Sequence, residues 1–182
     1  MQHIGLVLPS MPGYSETFIN NKIHGLLHSG FQVTVIDNFS TGRRNNLGKA
    51  INKVRLLEAD IGEVGEWMKE FRDVSRVFHL AALADIVPSI KDPDAYFRSN
   101  VSGTFNVVQA STNFQVDRFI YAASSSSYGI SEQVPTTETA SIYPQYPYAL
   151  TKHMGEEIVM HWAKVYGLKS LSLRFFNVYG PR

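Results

Sequence analysis

Tyr148 and Lys152 stand four residues apart in the segment Tyr148-Ala149-Leu150-Thr151-Lys152. Four residues is about one helical turn, so a phenol and an ammonium leave one helix face together and can act on a single atom. The chemistry this suits is proton transfer. A tyrosine is a poor base at its free pKa near 10, and a cation fixed beside it favours the phenolate and brings that pKa towards working pH. Upstream, a strand-like run at residues 118–123 delivers a serine cluster, Ser124 to Ser127. Residues just past the carboxyl end of a parallel strand lie in the crevice where ligands bind, so a hydroxyl is expected beside the pair.

The elements that must position these groups follow from pattern. Pro147 suits the first position of a helix, and the apolar set Ile158, Val159, Trp162, Ala163 and Tyr166 runs on to a stop at Gly167. Short β-branched runs predict strands at residues 4–8, 33–36, 54–57, 76–80, 118–123 and 170–175. Helices are expected at 16–28, with Gly30 closing it, at 63–71, and at 93–113 with Tyr96, Phe97, Val101, Phe105, Val108 and Ala110 inward. Strands alternating with helices over short connections imply an α/β fold, a parallel sheet covered on both faces.

Composition sets outer bounds. With 44% hydrophobic and 18% charged residues, the 182-residue chain suits one domain with one core. A net charge of +1 offers no basic field for nucleic acid, and Arg43 and Arg44 read as a solvated loop. The chain has no cysteine, no signal-like start and no apolar run of spanning length, so a cytoplasmic protein without a membrane segment is expected. No metal site is expected.

Six stretches in order carry a family resemblance: residues 35–42 (Val-Ile-Asp-Asn-Phe-Ser-Thr-Gly), 78–82 (Phe-His-Leu-Ala-Ala), 99–104 (Ser-Asn-Val-Ser-Gly-Thr), 123–129 (Ala-Ser-Ser-Ser-Ser-Tyr-Gly), 148–152, and 174–182 (Arg-Phe-Phe-Asn-Val-Tyr-Gly-Pro-Arg). From about Phe31 onward the chain resembles the extended short-chain dehydrogenases/reductases, particularly the NAD-dependent nucleotide-sugar epimerases of the UDP-glucose 4-epimerase type. The resemblance implies a doubly wound, Rossmann-like NAD-binding domain over residues 1–182, a UDP-sugar as substrate, and a homodimer paired through the helix at 93–113 and the Tyr148 helix.

It also implies residue roles. Tyr148 would take the proton of the sugar 4-hydroxyl while a hydride passes to the nicotinamide, Lys152 would hold the phenolate and the nicotinamide ribose, and Ser124, with Ser125 as second choice, would bond the same oxygen. Asp37 would accept the adenosine ribose hydroxyls and repel a 2′-phosphate, favouring NAD over NADP. Asn38, Ser40, Thr41 and Gly42 on the following loop, Asp60 and Ile61 at the adenine, and Leu80, Ala81 and Ala82 along the backbone complete the implied cofactor set. Phe175 joins them, with Asn100 behind the site. Ser89, Ser124 and Asn177 are the implied substrate contacts, although a loop hydrogen bond explains Ser89 equally well. His79 reads as a satisfied strand-end residue. Related dehydratases carry an Asp-Glu pair just after the hydroxyl residue, and here those positions are Ser125 and Ser126, so epimerisation is favoured over elimination.

Two departures qualify the resemblance. The glycine fingerprint expected after the first strand is reduced to Gly13, retained as the one candidate for the pyrophosphate, among Pro9, Pro12 and Glu16, which remove donors or add like charge. The first 30 residues resemble instead the opening of a two-Rossmann-domain glycosyltransferase. Family members also continue for more than a hundred residues into a substrate lobe. The expectation is therefore weak turnover by this chain alone, with a non-catalytic nucleotide-binding module as the rival.

Overall fold

The computed structural model describes residues 2–7, 15–131 and 133–178, with the side chains of residues 15–18 excepted. Among the described residues six strands form one sheet: β1 (His3–Val7), β2 (Gln32–Asp37), β3 (Arg55–Glu58), β4 (Val74–His79), β5 (Arg118–Ser124) and β6 (Ser170–Phe175). Every pairing is parallel, in the order β3-β2-β1-β4-β5-β6. The strands are short runs rich in β-branched residues, and those of the centre are buried on both faces, which is why they read as continuous apolar segments.

Alternate residues feed opposite cores. Leu6, Val33 and Val35 pack under α1 (Ser15–His28) with Ile23, whereas Val7, Ile36, Val77 and Phe119 face the other side with Val107, Val108 and Val159. That second side is covered by α4 (Gly103–Asn113) and α5 (Pro147–Tyr166). The sheet is thus wound on both faces, as the strand and helix alternation predicts. Among the described residues no helix is long and apolar enough to cross a membrane.

The connections hold the departures from expectation. The stretch expected as one helix at 93–113 is three: α3 (Pro93–Tyr96), a π-helical segment (Phe97–Ser102) and α4. Of its expected inward residues, Phe97 and Phe105 are instead exposed, Phe105 meeting Trp162 of α5 edge-on. The π segment sits where the buried Asn100 turns to bond Leu83 and Thr151, a common use of that local widening. A short α2 (Ile86–Lys91) was hidden by Pro88, and the loop after β2 contains 3-10 turns at Arg44–Ala50 broken at Gly48. The expected helix at 63–71 is a 3-10 turn, Glu66–Phe71.

What positions α5 is its approach to β5. Tyr121 is fully buried and its hydroxyl donates to the Lys152 carbonyl at 3.3 Å. Gly155 passes directly over that ring: a Cβ there would fall well inside contact distance of the Tyr121 hydroxyl and 3.1 Å from the Asn100 carbonyl. In a helix interior, Gly→Ala normally gains about 1 kcal/mol, but overpacking a fixed core costs about 1–3 kcal/mol. Gly155→Ala should therefore destabilise the fold. Gly25→Ala, on an exposed position of α1 with nothing within 4 Å, should stabilise it by about 0.5–1 kcal/mol. Urea unfolding of the two variants checks the opposite signs.

Candidate active site

A cleft of about 200 Å³ opens at the carboxyl ends of the central strands, lined by Val7, Asp37, Asp60, Ala81, Arg98 and Ser99 among others. The chain winds to β2 and β3 on one side of β1 and crosses to β4 on the other, so this is the topological switch point of the sheet. Past the end of β4, the backbone N–H groups of Leu80 and Ala81 both donate to the Val7 carbonyl, at 2.7 and 2.9 Å. That bend turns Ala81 and Ala82 into the cleft and leaves Leu80 packed on the α1 side.

Asp37 closes one end of the cleft. Its carboxylate is buried and receives the Phe39 N–H at 2.7 Å; burial pushes its pKa up to about 6, the Phe39 hydrogen bond opposing and Glu58 adding to the rise. A Cβ at Gly42 would lie 3.2 Å from the same carboxylate, so a glycine lets the loop close over it. Asn38 and Ser40 line the cleft beside it, while Thr41 is exposed on that loop. Asp60 accepts the Gly62 N–H at 2.8 Å and pairs with Arg98 at 3.2 Å, and Ile61 lies buried next to it. Burial on this scale, in a carboxylate with acceptor capacity facing a cleft, fits a ligand that brings hydroxyl donors. Arg44 is engaged elsewhere, paired with Glu58 and stacked on Phe39.

The reactive groups gather at the end of β5. The Tyr148 hydroxyl donates to Ser124 Oγ at 3.4 Å; Ser124 Oγ also accepts the Ser126 N–H at 3.2 Å and is paired with Ser126 Oγ at 2.7 Å. Ser124 caps the 3-10 turn Ser125–Tyr128, which is how a strand end and a turn bring two hydroxyls to one point. Ser125, the second choice from sequence, lies in that turn beside them. Tyr148 sits in the first turn of α5 and Lys152 one turn on, with Lys152 Nζ 4.5 Å from the centre of the Tyr121 ring.

The electrostatics correct one expectation. Tyr148 is not drawn down by Lys152: burial raises its pKa above 10, with the Ser124 hydrogen bond opposing. The lysine shifts in the opposite direction: full burial lowers Lys152 to about 7 and Glu156 pulls it back up. Beneath them His79 is fully buried, its Nε2 2.9 Å from Thr104 Oγ1 and its Nδ1 without a partner among the described residues, so among these it is satisfied on one side only. Burial, and secondarily Lys152, hold His79 neutral, with a pKa lowered to about 3.

The remaining sequence candidates divide. Asn100 lies behind the site, its amide donating to the Leu83 carbonyl at 3.0 Å and to Thr151 at 3.1 Å. Ser89 is fully buried in α2 and gives its proton to the Ile86 carbonyl at 2.6 Å, the local bond that was its other explanation. Phe175 pairs in register with Ser124 at the sheet's carboxyl edge and is 38% exposed, and Asn177 is exposed just beyond it. Gly13 lies outside the described residues. Sequence reasoning missed Ala95, Arg98 and Ser99, whose i, i+3, i+4 spacing puts them on one helical face towards the cleft. Tyr121 and Glu156 were missed as well, and Ser126 was singled out only as a member of the serine cluster.

An all-parallel sheet in this order, with a cleft at its switch point and an acidic side chain at the end of β2, defines a dinucleotide-binding domain. The chain belongs to the NAD dependent epimerase/dehydratase family, whose profile matches residues 20–182, within the extended short-chain dehydrogenases/reductases. The UDP-glucose 4-epimerase of Lacticaseibacillus casei is 34% identical over 165 residues, 88% of this chain and 48% of that protein. The UDP-glucose 4-epimerase of Thermotoga maritima, solved with UDP-glucose, is 30% identical and superposes with a TM-score of 0.87 over 100% of this chain and 57% of that one. That of Thermus thermophilus, solved with NAD, is 29% identical with a TM-score of 0.84, again over 100% of this chain and 57% of its own. The chain spans about half the length of the curated relatives it matches.

The buried imidazole makes the site visible in stability. His79 titrates near 6.5 in the unfolded chain and near 3 in the fold, so between these values the unfolded state holds more protons. Its contribution to stability is complete above about 6.5 and is lost as pH falls towards 3. Asp37, raised from 3.8 to about 6, works in the opposite sense from 3.8 to 6, so the two must be separated. Urea unfolding of wild type and His79→Gln at pH 4.5 and 7 should give a stability difference that grows with pH by a few kcal/mol, on the order expected for a shift of this size.

Proposed function

We propose that this chain is the NAD-binding domain of a nucleotide-sugar 4-epimerase acting on a UDP-sugar. The observation that carries the reading is the meeting of Tyr148, Ser124 and Lys152 at the same sheet edge as the cleft below Asp37. The ends of β2 and β5 are three strand spacings apart, roughly 15 Å, so a ligand reaching both must be extended, as a dinucleotide is. Asp37 would hold the adenosine ribose, Asp60 and Ile61 the adenine, and Ala81 and Ala82 the backbone approach, with Asn38, Ser40, Thr41, Gly42 and Phe175 around them. When bound, NAD supplies the acceptor and donor for a hydride.

The chain's own groups handle the proton. Tyr148 starts protonated and donates into Ser124, which is joined to Ser126, so the phenol proton has a path along hydroxyls. The vacated phenolate then takes the proton of the sugar 4-hydroxyl, and the Lys152 charge stabilises it. Inversion at C4 would be completed when a hydride comes back to the opposite face of C4 and Tyr148 returns the same proton to the 4-oxygen. Elimination by a dehydratase of the same family would need an acid and a base following the hydroxyl residue, and Ser125 and Ser126 supply neither. We further infer a homodimer joined across α4 and α5, because Phe105, Met160 and Tyr166 leave an apolar surface exposed there. Sedimentation should show a dimer, and a charged residue at Phe105 should shift it towards monomer.

Calorimetry with NAD is the direct test. Binding should weaken as pH drops through about 6, where Asp37 takes up a proton and loses its acceptor capacity. Asp37→Asn should raise Kd by roughly 10- to 150-fold, the cost of about 1.5–3 kcal/mol for a hydrogen bond to a charged group, and should flatten that pH dependence. Tyr148→Phe should keep NAD affinity and abolish turnover of UDP-sugar in protein that has it. No binding at millimolar NAD sinks the reading in favour of a non-catalytic module.

A further inference from the structure

Lys152 is 3% exposed, so its charge must be supported from within the protein. Its surroundings offer few charges. Tyr121 faces it from β5, His79 from β4, and Tyr148 from the preceding turn of α5. All three are neutral at pH 7: burial raises both tyrosines and lowers the histidine. The Tyr121 ring face contributes a quadrupole attraction at 4.5 Å, which steadies the ammonium without neutralising it.

Glu156 is one turn further along α5 and therefore on the same face as Lys152. It is 5% exposed and held from β6: Ser172 Oγ donates to it at 2.8 Å, and Arg174 Nε donates to both its oxygens at 3.0 and 2.9 Å. Arg174 is itself fixed, donating to the Tyr128 hydroxyl at 2.9 Å and the Glu138 carbonyl at 3.3 Å. Tyr128 ends the turn that begins after Ser124. One chain of bonds thus links the lysine's helix, the edge strand and the serine turn. A fixed, buried carboxylate costs several kcal/mol in desolvation, and a single arginine at the sheet edge would be served as well by an exposed partner.

We propose that Glu156 is a positioning residue whose carboxylate, clamped by Arg174 and Ser172, is the counter-charge of the buried Lys152 ammonium. The inference deepens the proposed function, on which it rests for the role of Lys152, and it adds a residue outside the Tyr-Lys-Ser set. Arg174 has two opposed effects: it orders Glu156, and it competes with Lys152 for the same negative charge.

That opposition provides the test. The titration of Lys152 is followed by NMR of the whole chain carrying labelled lysine, its signal assigned by its absence in Lys152→Met. In wild type the midpoint should lie near 7. Glu156→Gln should shift it down, the direction expected when an opposite charge on the same helix face is lost. Arg174→Gln should leave it in place or raise it, since the carboxylate remains and its competitor is gone. An unchanged midpoint in folded Glu156→Gln overturns the proposal. So does a fall in Arg174→Gln matching that of Glu156→Gln, which would make the cluster a scaffold only; this second variant decides alone if the first does not fold. Should Lys152 respond as expected in a protein that binds no NAD, the charge coupling stands and the proposed function falls.

Discussion

The close passage of α5 over β5 is the constraint on which the rest of the structure depends. Gly155 removes the one side chain that would stand between the helix and Tyr121, and the Tyr121 hydroxyl then reaches the Lys152 carbonyl. The ring beneath fixes where the ammonium lies, and one turn earlier the same helix sets Tyr148 within reach of Ser124. A helix displaced outward by a methyl group would move all three contacts at once. Packing and chemistry are therefore decided by the same few atoms, and the core residues Phe119, Val107 and Val159 around them hold that geometry as well as the fold.

The groups so placed are held against their electrostatic preference. Asp37, His79 and Lys152 are each pushed by burial towards the neutral form, and all three lie along the carboxyl edge of the sheet. Strained ionisation of this kind is concentrated where binding and catalysis need groups poised near neutral pH. Tyr121, beside Lys152 and His79, is pushed the same way and stays a neutral phenol, so it can carry a cation on its face without exchanging protons with it. The edge thus combines two carriers of charge, Asp37 and Lys152, with neutral partners that only position them.

Much of this is legible in the sequence, and the exceptions have physical causes. The six strands are readable because a sheet buried on both faces requires uninterrupted β-branched runs such as Val33 to Ile36. Tyr148, Lys152 and Ser124 are readable as a set because their spacing and their place after a strand restrict them to one edge. Asn100 is readable only as a motif residue, since its partners Leu83 and Thr151 come from separate segments. The π turn around it leaves no periodic signature, and Pro88 conceals a short helix because proline in its interior argues against one. Glu156 and Arg174 are invisible as a pair: they stand 18 positions apart on a helix and a strand, and each alone reads in the sequence as an ordinary surface charge. The sign of the tyrosine shift is also beyond pattern, because spacing puts Lys152 on the right face but does not tell how deeply both groups are buried.

Burial has a further consequence for how such a site is used. A phenol whose proton is held more firmly than in water cannot serve as a base until something offsets that cost, and a lysine near its own midpoint supplies full charge only part of the time. Any ligand that brings negative charge or hydrogen-bond acceptors to Lys152 will favour the ammonium, and an ammonium in turn favours the phenolate. Likewise, hydroxyl donors arriving at Asp37 favour its carboxylate. Ligand binding and ionisation at this edge must then strengthen each other, by the reciprocity that linkage imposes. On the proposed function, the fold gives up stability to keep these groups underserved, and the same shortfall would make the bound state the one in which Tyr148, Lys152 and Asp37 all carry their working charges.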